Sequence, residues 1–258
     1  LNADADLSRR CLPYNMYGLS FREFLIFYKN IRIPVASLQE VLENAGDICQ
    51  GINEQCRPVQ MFNEYLLDGY YPFFTGNRED YYMNIENVVK LILEQEMPLL
   101  CGVDPAYIRK LIALLSILAS SVTYEGDNTK LAGTIGLTRN SVITYLQNLD
   151  RAELLKLLYS DLTSVKKMQK PDKIYLQNPN LLYAIASTSV QIGTARETFA
   201  ISQLSVNHEI EYGKTQGDFV VDHKYTFEVG GADKTFKQIA DLQDSFILAD
   251  NIEYATGK

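Results

Sequence analysis

The residues that most restrict the fold are 128–159, NTKLAGTIGLTRNSVITYLQNLDRAELLKLLY. Leu131 and Ile135 sit four apart and give a short helix one apolar face. Gly136 follows, where a tight turn calls for positive φ. Leu137 plugs the corner, and Thr138 is placed to cap a second helix by accepting a backbone N–H. On that helix Val142, Leu146 and Leu149 recur at i, i+4 and i+7 and face inward. Arg139, Asn140 and Thr144 are left outward near its N-terminal end, where a recognition helix presents side chains to the major groove of double-stranded DNA. Residues 154–159 then read as a strand and 173–176 as its return. Between them Lys166, Lys167, Lys170 and Pro171 make a basic loop. The whole is the pattern of a winged helix-turn-helix. Winged helices also serve as spacers and protein-docking modules, and the pattern leaves both uses open.

Charge sharpens this reading. The chain has 258 residues, enough for two domains or three small ones, and a formal net charge of −8. That balance argues against indiscriminate nucleic-acid binding. Residues 130–173, however, carry eight basic side chains against four acidic ones, so the segment is +4 and the remainder −12. A basic island in an acidic chain is the footprint of a local anion-binding face; it also suits docking on an acidic neighbour. Cys11, Cys49, Cys56 and Cys101 form no C-x-x-C pair, and the chain has 2 histidines, which argues against a zinc site. Free thiols are expected in a reducing cytoplasm. The apolar run at 111–119 is too short to span a bilayer and is broken by Ser116, so no membrane partner is expected. The first residue is Leu, from which the chain is expected to be a fragment or a processed product.

Residues 1 to about 121 are helical by pattern. Ser20 and Glu23 make a capping box, followed by an apolar face of Phe21, Phe24, Leu25 and Tyr28, with Pro34 ending the segment. Ser37 and Glu40 repeat the box, with Gly46 as the stop. A helix is expected over 59–67, stopping at Gly69. Another runs over 79–96 with Tyr82, Ile85, Val89 and Ile92 in helical spacing, closed by Pro98. Asp104-Pro105 opens the next, which is apolar almost all round and expected to be buried to about Ser120.

In the C-terminal part, Asn178-Pro179 starts a helix containing Leu181, Leu182 and Ile185, and 194–197 starts another. Strands are expected over 208–212, 217–221, 225–229 and 245–249, with a helix over 233–242. If Val221 and Tyr225 close the hairpin, Phe219 faces Phe227 and Asp218 faces Glu228, each pair on one face of the sheet. Two opposed carboxylates repel unless a proton or cation lies between them. Magnesium (Mg2+) would relieve the repulsion and could activate a water for phosphodiester cleavage.

Two resemblances rest on these residues. Asp6-Leu7-Ser8-Arg9-Arg10, then 18–25 (GLSFREFL), then Gly69-Tyr70-Tyr71-Pro72, occur in the order seen in a prokaryotic AAA+-type ATPase with a C-terminal domain of unknown function. Tyr70 stands where that family usually has a second glycine. The resemblance covers nearly the whole chain. It implies an α+β fold with the end of the ATPase core and a helical lid over 1–103, a winged helix over 104–176, and a nuclease-like α/β domain over 177–258. It also implies that ATP is bound by an upstream core, because no G-x-x-x-x-G-K-[ST] stretch occurs here. Arg9 and Arg10 then become arginine-finger candidates toward neighbouring ATPase subunits, with self-association as a partner mode. The C-terminal part resembles the PD-(D/E)XK nuclease fold, with Glu197, Asp218 and Glu228 matching by order and element type. Gly230 occupies the lysine's place, and Lys234 is the candidate to fill its role. Glu197 has a structural alternative as the partner of Thr194 in a capping box. The function expected is that of a DNA-associated, regulatory C-terminal part of an ATP-binding protein. The alternatives are a protein-interaction module without nucleic-acid affinity and a metal-dependent nuclease.

Overall fold

The computed structural model describes residues 12, 14–121, 124, 128–160, 170–186, 190–214 and 216–255. They form a mixed α+β structure, helical in the first half and ending in a small sheet. Helix α1 (Phe21–Lys29) starts where Ser20 accepts the Glu23 N–H and Glu23 accepts the Ser20 N–H. It ends at Asn30, which takes a left-handed φ of 54°, so its stop precedes Pro34. The same reciprocal cap from Ser37 and Glu40 starts α2 (Leu38–Glu43). Gly46 is not the stop expected of it. Asn44 breaks the chain at φ −125°, and Gly46 lies inside α3 (Ala45–Asn53). Helix α4 (Pro58–Asp68) ends at Gly69, where a Cβ would stand 2.7 Å from the Tyr65 Cα.

Helix α5 (Arg78–Leu91) corrects a second expectation. Pro98 does not close it. A π-helical turn (Ile92–Glu96) widens the helix so that the Met97 N–H reaches the Ile92 carbonyl, and the chain continues into α6 (Met97–Cys101). The wider turn accommodates a residue with no N–H to give. Gly102, at φ 64°, makes the stop.

Asp104 caps a short 3-10 turn that leads into α7 (Ile108–Ser120). This helix buries Leu111, Leu114, Leu115, Leu118 and Ala119 but turns Ile112 outward, 40% exposed, so it is amphipathic rather than buried all round. Helix α8 (Asn128–Ile135) turns at Gly136, φ 65°, into α9 (Arg139–Arg151), where Thr138 accepts the Ser141 N–H at 3.1 Å. Val142, Leu146 and Leu149 are buried. Strand β1 (Leu155–Leu158) pairs antiparallel with β2 (Lys173–Leu176), and Tyr124 adds an isolated bridge to Ile174.

Helices α10 (Pro179–Ala186) and α11 (Ile192–Leu204) precede a four-stranded sheet ordered β3 (Ile210–Tyr212), β4 (Phe219–Val221), β5 (Tyr225–Gly230), β6 (Ser245–Ala249). The first three strands are antiparallel and β6 runs parallel to β5. Phe219 pairs with Phe227, their ring centroids 5.6 Å apart. The helix expected over 233–242 is absent; a 3-10 turn (Phe236–Gln238) stands there. Ile239 is the one fully buried apolar anchor of that segment, too little for an amphipathic helix. The Tyr212 N–H donates to the Tyr159 carbonyl at 2.9 Å, joining the β1–β2 hairpin to the sheet. Helix α11 packs both ways: Phe199 meets Phe62 at 4.6 Å in the N-terminal helices, while Ala200 and Ile201 enter the core under the sheet.

Helix α10 is anchored by Asn180, which is 0% exposed. Its amide nitrogen donates to the Tyr65 and Leu66 carbonyls at 3.0 and 2.8 Å. Its oxygen accepts from the Tyr70 N–H at 2.7 Å and the Tyr81 hydroxyl at 2.6 Å. Asn178 caps the same helix through the Leu181 N–H and donates to the Tyr71 hydroxyl, both at 2.9 Å. Asn180→Ala strands all the partners of that carboxamide in the core. It is expected to lower the unfolding free energy by about 3 kcal/mol or more, measured by urea denaturation.

Candidate functional site

Two loci carry chemistry, one exposed and one largely buried. The first is the N-terminal half of α9. Arg139, Asn140 and Thr144 are exposed there, with Val142 and Leu146 holding the opposite face in the core. The Thr144 hydroxyl donates back to the Asn140 carbonyl at 3.1 Å. The preceding turn is held by Lys110 of α7, which donates to the Gly136 carbonyl and lies 5.4 Å from the Tyr107 ring centre. Lys170 is exposed at the base of the β1–β2 connection. Lys166 and Lys167 lie outside the described residues, as do Arg9 and Arg10.

Two lysines counted in the basic island do not swell it. Lys156 stands near Asp150 and Glu153 and opposes the rise that burial gives both carboxyls. Lys173 is only 5% exposed and belongs to the second locus.

That locus gathers side chains from β2, α11, β3, β5 and the residue just before β4. The Lys173 ammonium lies 3.5 Å from Glu197 and 3.5 Å from Asp218. It also stands 5.4 Å from the Tyr212 ring centre and 6.0 Å from that of Tyr175. The Tyr175 hydroxyl donates to Glu197 at 2.6 Å. Burial pushes the Glu197 carboxyl up; Lys173 opposes this, the charge of Asp218 adds to it, and the Tyr175 hydrogen bond opposes it again. Lys234 forms an ion pair with Glu228, which is buried on β5.

The expected geometry needs two corrections here. Asp218 does not form a ladder pair with Glu228. Regular pairing ends at Phe219–Phe227, and the Asp218 N–H turns to the Phe227 carbonyl at 2.8 Å. One Asp218 oxygen then accepts the Val229 N–H at 2.8 Å and the other faces Lys173, so the two acids end on different lysines. Glu197 does not complete a capping box with Thr194. Helix α11 starts at Ile192 after Gln191, which places Thr194 inside the helix, where its hydroxyl is buried without a partner. Gly230 stands where the nuclease pattern has lysine. The Lys234 stem crosses it so closely that a Cβ would lie 2.6 Å from the Lys234 Cγ.

This donor set does not fit magnesium. A Mg2+ ion demands nearly octahedral oxygens at about 2.0–2.1 Å. Asp218 and Glu197 instead face an ammonium, and Glu228 faces another. Among the described residues no group of three or more His, Cys, Asp or Glu side chains converges to hold a metal ion. Lys173 was not singled out in the sequence as a site residue. Its one signal is its place as the first residue of an otherwise apolar strand, KIYL.

A third feature lies at the β4–β5 turn, where Asp222 and His223 both take left-handed φ, 52° and 54°. His208 pairs with Asp222 at 2.6 Å, and His223 pairs with Glu211 at 2.6 Å and Glu209 at 3.3 Å. The Glu211 hydrogen bond and charge, with Glu209 behind them, hold the His223 imidazolium above the usual histidine value.

The chain belongs to a family described as "Domain of unknown function (DUF8612)", whose model matches residues 59–191, just over half of the sequence. The match runs from the first turn of α4 to the residue before α11, and so includes Asn180, α9 and Lys173 but not Glu197, Asp218 or Glu228. The chain is also similar to an uncharacterized protein of Methanocaldococcus jannaschii (MJ1637), 27% identical over 179 residues. That alignment covers 67% of this chain and 38% of the relative, so the chain spans less than half of the relative's length. No solved structure matches. Among the described residues no helix is long and apolar enough to cross a membrane.

Two outcomes are expected. Gly230→Ala pushes the Lys234 stem off β5 and leaves the buried Glu228 carboxylate without its ammonium, lowering stability by roughly 2 kcal/mol or more in denaturant titration. In an NMR titration His223 should show a midpoint above 6.5, the ordinary histidine value. Glu211→Gln should bring it down. Because the folded value is raised, the stabilisation from this pair is complete below the unfolded histidine's pKa and fades as pH climbs through the folded one.

Proposed function

We propose that the chain is a duplex-DNA-associated module in which α7, α8, α9 and the β1–β2 hairpin act as a winged helix, with α9 as the recognition helix. The observation that carries this reading is the exposure of Arg139, Asn140 and Thr144 together on the N-terminal turns of α9, with Lys170 exposed as well. An arginine reads guanine and an asparagine reads adenine by paired hydrogen bonds in the major groove, while loop lysines contact phosphates. Following the AAA+ resemblance, the module works in the cytoplasm as the C-terminal, regulatory part of an ATP-binding protein whose nucleotide core is not in this chain. The thiols of Cys49, Cys56 and Cys101 are free, in keeping with that compartment. A protein-docking role is the second reading. Exposed apolar side chains such as Phe27 on α1 and Leu99 on α6, 63% and 81% exposed, would be the contacts such a role uses.

Fluorescence anisotropy with labelled duplexes at two salt concentrations tests the first reading. Affinity should fall steeply with salt as counterions are released. Replacing Arg139 and Asn140 together by Ala should weaken binding about tenfold or more. Replacing Lys166, Lys167 and Lys170 by Ala should flatten the salt slope by about 2–3. Absence of any shift at low salt, together with a stable protein complex, would favour docking instead.

A further inference from the structure

We infer that Lys173 is the built-in cation of the C-terminal carboxylate cluster, and that this cluster is a metal-free clasp fastening strand β2 to α11 and the sheet. The ammonium stands where a metal would stand in a two-carboxylate site. It is equidistant from Glu197 and Asp218, at 3.5 Å from each. Two tyrosine rings wall it, Tyr212 at 5.4 Å and Tyr175 at 6.0 Å, which suits an ammonium held by carboxylates and π faces. The rings give a divalent ion no carboxylate or carbonyl oxygen.

The neighbouring acid is satisfied in the same way. Lys234 engages Glu228 after its stem crosses Gly230, a position where any side chain would meet that stem. The remaining Asp218 oxygen accepts the Val229 N–H at 2.8 Å and is turned onto the backbone. A dication brought to Glu197 and Asp218 would meet the Lys173 charge at short range in a poorly screened interior, and repulsion would expel one of the two.

The clasp joins parts that the family boundary separates. Lys173 lies within the matched residues 59–191, while its carboxylate partners lie beyond them. Lys173 also begins the strand that returns from the basic connection, and the Tyr212–Tyr159 backbone bond crosses the same seam. The ion cluster therefore fixes the connection end of the hairpin to the sheet.

Manganese titration of the intact chain, followed by electron paramagnetic resonance, tests this directly. The wild type should hold no stoichiometric Mn2+, and Mg2+ or Mn2+ should leave its thermal midpoint unchanged. One tightly bound ion that disappears in Asp218→Asn would overturn the inference. Lys173→Met should melt at lower temperature, and added Mn2+ should raise the midpoint of that variant alone. Lys173→Arg, which keeps the charge, should recover most of the loss. A Lys173→Met protein as stable as wild type and indifferent to Mn2+ would also overturn it. If that variant does not fold, the wild-type titration still decides between the two outcomes.

Discussion

A carboxamide offers two N–H donors and an oxygen with two lone pairs, and Asn180 uses all of them inside the core. Its partners come from the end of α4, the turn after it, and α5. One side chain on α10 therefore holds three consecutive segments in register. Buried polar groups cost free energy unless bonded, so this arrangement tolerates one arrangement of α4, α5 and α10 and penalises the rest. The Tyr65 hydroxyl extends it, donating to the Leu19 carbonyl at 2.7 Å and accepting from Gln203 at 3.0 Å. Gln203 in turn accepts the Phe21 N–H at 3.0 Å, which brings in α1. The polar network thus runs from the N-terminal helices to α11.

Around that anchor the molecule divides its work between rigid and available parts. Helix α9 has one face locked and the other exposed, and Val142, Leu146 and Leu149 supply the lock. Helix α11 does the opposite and has almost no free face. It sends Phe199 toward α4, Ala200 and Ile201 under the sheet, and Glu197 toward Lys173 and Tyr175. Arg196 adds a 2.6 Å ion pair to Asp250 just after β6. The hairpin that follows α9 is thereby tied to the sheet through Lys173 and through the Tyr212 amide, so the exposed face of α9 sits on a braced support.

Much of the local structure was legible from residue types. The reciprocal caps of Ser20 with Glu23 and Ser37 with Glu40 follow from a hydroxyl and a carboxylate three apart. The Gly136 turn and the Thr138 cap follow from backbone needs that those residue types answer. The alternation around the β4–β5 turn gave the Phe219–Phe227 pairing. The failures have physical causes too. Pro98 looked like a stop, but a widened turn absorbs its missing N–H. Residues 233–242 were expected to be helical but have too little apolar surface to bury. Thr194 and Glu197 had capping-box spacing, but the helix had already begun two residues earlier.

The sequence by itself determined where the helices capped by Ser20, Ser37 and Thr138 start, which of their faces are apolar, and that an α+β chain with a basic island would result, because those properties depend on neighbours within a few residues. The tertiary structure alone decided which charges meet. Lys173 is separated from Glu197 by 24 residues and from Asp218 by 45, and no local pattern reports that their side chains converge. The loss of regular pairing at Asp218 sent that acid, just before β4, and Glu228 of β5 to different lysines, an outcome set by a backbone turn that alternation cannot encode. Asn180 likewise reads as an ordinary polar residue until packing removes water and leaves it the partner of four buried groups.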